Sequence, residues 1–401
     1  MSLKILQLCH KPPLPAIDGG CIAMNNITKG LMKEGYEVNI LTVETQKHPF
    51  LPDLMPEDYR QKTKIESVYV DTSVNLVDAF SALVTSDSYN ISRFFSPDFD
   101  LKLIKTLREN SYDVIHLESL FMTPYIATIR RHSKGKIVLR SHNLEYIIWE
   151  RMAEASKNRA KKAYLNLLSR QLKRYELNVI NQVDGIAAIS NEDAKKYLSF
   201  KCFKPIVNIP FGINYNNYTI SHTPPEFLSL FHIGAMDWTP NVEGINWFLN
   251  KVWPEIRLHQ PEIKFYLAGR KMPEYLVKNA PENVIVTGEV ESANDFINSK
   301  SIMVVPLLTA GGIRVKIIEA MALGKTVIST KIGAEGIDYK KGEHLFIANT
   351  PGEFAETINT LVNNRALVEE TGKNARKLVE NKYDNKLLTR DLINFYHSLT
   401  D

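Results

Sequence analysis

The sequence predicts an α/β protein of two domains, each built on a mostly parallel sheet with helices on its faces. Three observations lead there. The chain has 401 residues, long for a single hydrophobic core. Short apolar runs alternate with amphipathic helical runs in both halves, and parallel strands read this way because both of their faces are buried. A polar, Pro-rich stretch from Asn214 to Pro225 separates the halves. The boundary is placed near residue 220, giving domains over 1–220 and 221–385, with a last helix over 386–401.

In the first half, Leu3 to Leu8 reads as a buried strand. A Pro-rich loop ending in Gly19-Gly20 leads to a helix from about Ile22 to Lys33, and Glu37 to Val43 is the next strand, a βαβ opening. The glycine pair falls just before the helix, where a phosphate or a sugar could meet the backbone, although from these residues alone a plain glycine turn is the better reading. It is not a Gly-x-Gly-x-x-Gly fingerprint, which argues against a nicotinamide cofactor. Ser67 to Val70 is strand-like, and a helical stretch runs through Val84. Asp98 and Asp100 follow Pro97 and open a helix over Leu101 to Asn110, as cap and first-turn acids.

Tyr112 to Glu118 and Lys136 to Leu139 are strands whose carboxyl ends carry polar side chains. His116 and Glu118 end the first; Arg140, Ser141, His142, Asn143 and Glu145 follow the second, with Asn143 as a helix cap. Ligands of open α/β sheets bind at such ends. Tyr146 to Asn181 reads as helical. Between Arg130 and Arg174 there are 13 Lys plus Arg against 3 acids. A solvated helix face and an attraction to an anionic surface both fit that run. It lacks the interleaved aromatics of a single-strand nucleic-acid platform. Val183 to Ser190 and Val207 to Pro210 complete the half.

The second half opens with a strand over Leu228 to Ile233 that ends at Gly234, and a helix begins around Val242. Strands follow at Ile263 to Ala268, Asn283 to Val286 and Ser301 to Pro306. Residues 309–337 are the most informative stretch. Gly311 and Gly312 form a turn, Ile313 to Leu323 is helical, Gly324 stops the helix, and Thr326 to Thr330 is a strand. Glycines let a ligand approach the backbone, and the unpaired amides at a helix start attract phosphate. Arg314 and Lys316 lie in the first turn, where cations are unfavourable unless an anion offsets them. Glu319 lies deeper, and its carboxylate suits the two hydroxyls of a ribose. A strand over Leu345 to Ile347 and two terminal helices end the chain.

Composition narrows the function classes. A hydrophobic content of 44% with 23% charged residues is ordinary for a soluble globular protein, and a net charge of +4 does not suggest a dedicated nucleic-acid binder. Cys9, Cys21 and Cys202 are too few and too scattered for a disulfide framework or a metal site, so a reducing, cytoplasmic setting is expected. The N-terminus does not read as a signal peptide, and no run is long enough to span a bilayer.

Glu319 followed by Ala320-Met321-Ala322 and Gly324-Lys325-Thr326-Val327-Ile328 resembles the donor-site helix of family 4 (group 1) glycosyltransferases. The family's motif has two glutamates; Gly311 stands where the first belongs, and Gly-Ile-Arg-x-Lys resembles the variant of one branch. The opening βαβ, the Arg-x-His-Asn-x-Glu turn at 140–145 and the Phe211 to Asn214 segment resemble the family as well. The resemblance implies the GT-B fold: two Rossmann-like domains facing across a cleft, with the C-terminal helix crossing back to the first. It implies transfer of a sugar from a nucleotide diphosphate sugar, such as a UDP or GDP sugar, to a glycan or lipid-linked acceptor. Configuration would be retained, and neither a metal nor a covalent cofactor would be required.

By the same resemblance, Gly19, Gly20, Gly234, Gly311, Gly312, Ile313, Arg314, Lys316 and Glu319 bind the donor, and His116, Glu118 and His142 face the acceptor. The loop at Ala235, Met236 and Asn241 lacks the family's Arg and Lys, so Arg314 and Lys316 are expected to supply the positive charge. Asp98-Phe99-Asp100 matches the metal motif of the other main glycosyltransferase fold only superficially. Cell-envelope polysaccharide synthesis at the inner face of the membrane is the expected setting. A non-catalytic carbohydrate-binding or assembly protein, a sugar-nucleotide epimerase or a glycan phosphorylase are the alternatives on this fold.

Overall fold

The computed structural model describes residues 3–72, 89–156, 158–309 and 311–401. The helical stretch expected through Val84 lies largely outside them, as does Ala310. The chain divides into two compact units: residues 1–212 with 388–401, and residues 213–387. The polar stretch from Asn214 to Pro225 therefore belongs with the second unit.

The first unit holds a parallel seven-stranded sheet: β1 (Lys4–Cys9), β2 (Glu37–Glu44), β3 (Glu66–Tyr69), β4 (Val114–Glu118), β5 (Lys136–Ser141), β6 (Gly185–Ala188) and β7 (Ile206–Asn208). Its order is β3-β2-β1-β4-β5-β6-β7. Strand periodicity assigns each face. Ile115 and Leu117 of β4 enter one core with Leu6, Leu8 and Leu139. Val114 enters the opposite core with Ile5, Val138 and the apolar face of the terminal helix Asn385–Thr400, through Leu392, Phe395 and Tyr396. That helix lies so close that a Cβ on Gly30 would come within 2.1 Å of Thr389 Oγ1.

The second unit holds a parallel six-stranded sheet: β8 (Glu226–Ile233), β9 (Lys264–Ala268), β10 (Val284–Gly288), β11 (Lys300–Val305), β12 (Thr326–Ser329) and β13 (Phe346–Ile347), in the order β10-β9-β8-β11-β12-β13. Phe248, Trp253, Phe265 and Phe354 anchor its core.

Several helix boundaries differ from the sequence reading, each for a local reason. The first helix spans Gly19–Lys33, because Asp18 caps it by accepting from the Cys21 amide; Gly19 and Gly20 are its first residues, not a loop before it. The helix after Pro97 is capped by Ser96, not by an aspartate, and Asp98 and Asp100 sit in its first turn. The long helix expected from Tyr146 is two, Glu145–Ala155 and Arg159–Val179, since Asn158 caps the second. Asn143 is not a cap; Leu144 holds that position without a side-chain bond. The central helix is shorter than read, Val315–Ala322, with Arg314 at its cap position. Three helices follow β13 instead of two, because Asn364 caps a new start at Arg365.

Candidate functional site

In each sheet the strand order reverses at one place, between β1 and β4 and between β8 and β11. The loops leaving such neighbours diverge and open a crevice at their carboxyl ends. A cluster of polar side chains sits at each reversal.

In the second unit the cluster centres on Lys316. Its Nζ donates to Asn241 Oδ1 at 2.7 Å and lies 3.2 Å from His232 Nε2. His232 Nδ1 is 2.8 Å from the Val304 carbonyl, which can only accept, so Nδ1 carries the proton and Nε2 offers a lone pair to the lysine. Burial and the Lys316 charge hold His232 well below its ordinary range. Burial, with Arg314 nearby, lowers Lys316 to about 7, against the pull of Glu319. Asn241 also donates to the Ala235 carbonyl, so the loop that lacks the family's cations receives one from the neighbouring helix. The crossing needs glycine at 234, where a Cβ would fall 2.8 Å from both Lys316 Nζ and Asn241 Nδ2.

Glu319, one turn further along, accepts from the Tyr218 hydroxyl at 2.9 Å. Burial raises its pKa, while Tyr218 and Lys316 oppose the rise. Arg314 is placed differently from expectation. It is 4% exposed, and its guanidinium donates to the carbonyls of Gly311, Gly333 and Glu335, with the Glu335 carboxylate 3.8 Å away. A buried guanidinium needs acceptors on its edges, and three backbone carbonyls supply them. The offsetting anion inferred for Arg314 is thus partly the protein itself. Gly311 is exposed, and Gly312 and Ile313 are partly exposed, in the turn that Arg314 holds.

In the first unit Glu118 is the hub. Its carboxylate accepts from Gln7 at 2.8 Å, from His142 Nε2 at 2.8 Å and from Arg140 at 3.4 Å, and His116 Nε2 lies 3.3 Å away. Burial works against its charge, but Arg140, His116 and His142 outweigh burial and hold the carboxyl well below the usual range. His116 and Glu118 were expected to face the acceptor; they are 1% and 0% exposed. Strand periodicity turns both toward the side that the terminal helix covers, and Tyr396 OH lies 2.6 Å from His116 Nδ1. Only His142 of the three is partly exposed. Glu145, in the same turn, is raised by burial to about 7.

Sequence reasoning missed His10, Lys11, Asp18, His48 and Tyr218. His10 Nδ1 is 2.9 Å from the Glu118 carbonyl. Lys11 donates to both oxygens of Asp18, and His48 Nε2 is 3.2 Å from one of them. His10 and Lys11 follow β1 directly, so the signal that drew attention to 140–145, polar groups at a strand end, was present there too. Among the described residues no group of three His, Cys, Asp or Glu is placed to hold a metal ion.

Two Rossmann-like units in one chain, each with such a cluster at its reversal, are the GT-B architecture. Residues 17–217 match the family described as Glycosyltransferase Family 4, and residues 228–364 match Glycosyl transferases group 1. The chain belongs to the family 4, group 1 glycosyltransferases. A relative from Klebsiella pneumoniae, an uncharacterized 44.6 kDa protein in the cps region, is 24% identical over 397 residues, 96% of this chain and 97% of its own. The capsular polysaccharide biosynthesis glycosyltransferase CapM of Staphylococcus aureus is 33% identical over 128 residues, 31% of this chain and 33% of that one. Among solved structures, Anabaena HepE in complex with UDP superposes with a TM-score of 0.68 at 14% identity, over 99% of this chain and 100% of that one.

Proposed function

We propose that this glycosyltransferase is a retaining, hexosyltransferase-like enzyme that moves a sugar from a nucleotide diphosphate sugar to a hydroxyl of a glycan or lipid-linked acceptor during envelope polysaccharide synthesis. The observation that carries the donor side is Lys316, held by Asn241 and His232 at the sheet reversal with Glu319 beside it. That HepE was solved with UDP, and that CapM is named for capsule synthesis, support the reading.

Lys316 and the first-turn amides offset the diphosphate charge as it leaves, Arg314 fixes the loop that presents them, and Glu319 takes the ribose. In the transfer step the acceptor oxygen bonds to the anomeric carbon on the face the diphosphate leaves. The bond to the β-phosphate oxygen breaks, and the hydroxyl proton passes to that oxygen. Lys316 and the helix amides carry the part that a metal ion plays elsewhere. His142 meets the acceptor; Glu118 orients it, and His116 supports Glu118 from below.

A thermal-shift panel of UDP, GDP, ADP, TDP and CMP tests the donor assignment, since a ligand of the folded state raises the melting temperature. A rise with UDP or GDP is expected. No rise with any nucleotide would favour a non-catalytic carbohydrate-binding or assembly protein, the reading that Gly311 at the missing glutamate position suggests.

We also propose that the helix Arg159–Val179 meets an anionic membrane surface. Its first turn holds Arg159, Lys161 and Lys162 and no acid, cations set against the helix dipole, and Tyr164 and Leu167 are 40% and 41% exposed. Among the described residues no helix is long and apolar enough to cross a membrane. Co-sedimentation with phosphatidylglycerol vesicles is expected to exceed that with phosphatidylcholine. Replacing Lys161 and Lys162 by Gln should weaken it roughly 30-fold, at about 1 kcal/mol per cation. Equal binding to both vesicles would contradict the proposal.

A further inference from the structure

His10 and His142 each keep one ring nitrogen as a hydrogen-bond acceptor. The Glu118 backbone carbonyl takes the proton of His10 Nδ1 at 2.9 Å, which leaves His10 Nε2 as an acceptor. The Glu118 carboxylate takes the proton of His142 Nε2 at 2.8 Å, which leaves His142 Nδ1 as an acceptor. One residue, through its main chain and its side chain, thus fixes both tautomers. The rings lie edge to face with centroids 5.6 Å apart, and both are partly exposed. Among the described residues, no donor is placed on His10 Nε2 or His142 Nδ1. Phe121 adds an apolar wall: its ring is 5.8 Å from that of His10 and is stacked on Phe94 at 4.5 Å. The nearby cation is already engaged, since Lys11 donates to both oxygens of Asp18.

A site of two neutral acceptors and an aromatic face does not fit a fully ionised anion, which brings no donors, and among the described residues no third His, Cys, Asp or Glu joins the two rings to hold a metal ion. It fits two hydroxyls on a ring with an apolar face. We infer that His10, His142 and Phe121 form a carbohydrate subsite that accepts hydrogen bonds from two neighbouring hydroxyls of one sugar ring. Burial, with His142 and Lys11 nearby, lowers His10 to about 3, and burial also lowers His142, so both rings stay neutral at ordinary pH. The inference deepens the proposed transfer reaction by naming what holds the acceptor sugar.

The test is a titration of the full chain, labelled with ¹⁵N at histidine, with the methyl glycosides of glucose, galactose, mannose and N-acetylglucosamine. At least one glycoside should move His10 Nε2 and His142 Nδ1 together along a single binding curve, leaving buried His232 unmoved. His10→Phe should weaken that glycoside about fivefold, the effect of one neutral hydrogen bond, without changing UDP binding. The inference is overturned if no glycoside moves both rings, or if the ¹⁵N shifts place the His10 proton on Nε2. The wild-type titration decides the matter even if the variant does not fold. If UDP fails to bind while a glycoside moves both rings, the subsite stands and the transferase reading falls; the reverse result removes only the subsite.

Discussion

Replacing Lys316 by methionine should lower the affinity for UDP about 100-fold, as expected for loss of a hydrogen bond from a charged group, while the chain stays folded. The lysine's partners in the ligand-free protein are neutral, an asparagine amide and an imidazole protonated only at Nδ1. Its pKa near 7 therefore leaves it partly uncharged before the nucleotide arrives. A diphosphate favours the charged form and raises that pKa. Binding must then take up a proton between the ligand-free pKa and that of the complex. The sign follows: affinity is greatest below about 7 and falls as the pH rises through and above it, until the pKa of the complex is reached. Calorimetry in two buffers of different ionisation enthalpy measures the uptake. The methionine variant should lose both the affinity and its dependence on pH. Full-strength UDP binding by that variant would remove Lys316 from the site.

Glu118→Ala should be the most damaging single change in the first unit, costing about 3–5 kcal/mol of unfolding free energy. The carboxylate is buried and shared by Gln7, Arg140 and His142, and its removal leaves the Arg140 charge, 2% exposed, without its counter-ion. Because the folded-state pKa is depressed, the stabilisation is fully present above the unfolded value of about 4.3 and is lost as the pH falls below it toward the folded value. Wild type and variant should therefore converge in acid. Denaturant titrations across that pH window decide the matter. A loss no larger than that of a surface ion pair, about 1 kcal/mol or less, would show that the cluster is not organised around Glu118.

The central strands were legible because β1, β6, β11 and β12 are buried on both faces and read as short, mostly apolar runs, whereas β3, β7 and β10 are only partly buried. The helix Val315–Ala322 was legible because its charged residues interrupt an otherwise apolar segment. Partners distant in sequence were not. Tyr218 reaches Glu319 across 101 residues, and Tyr396 reaches His116 across 280. Nothing local to a tyrosine distinguishes one that ends on a carboxylate from one that ends in solvent. Arg314 shows the converse limit. A cation beside a glycine turn reads as a phosphate ligand, yet the same residue satisfies its edges on three carbonyls. For His116 the place at a strand's carboxyl end was legible, but the helix that covers it lies at the other end of the sequence.

The contribution of residues 388–401 to the first unit sets an order of events during synthesis. A ribosome delivers residues 1–212 first, and domains ordinarily close as they emerge. Here the apolar patch around Ile5, Val38 and Val114 waits for Leu392, Phe395 and Tyr396, which are made after the whole of the second unit. The second unit is continuous in sequence and can close before them. The unit begun first is completed last, and through that interval its exposed face is the part of the nascent chain most in need of a chaperone.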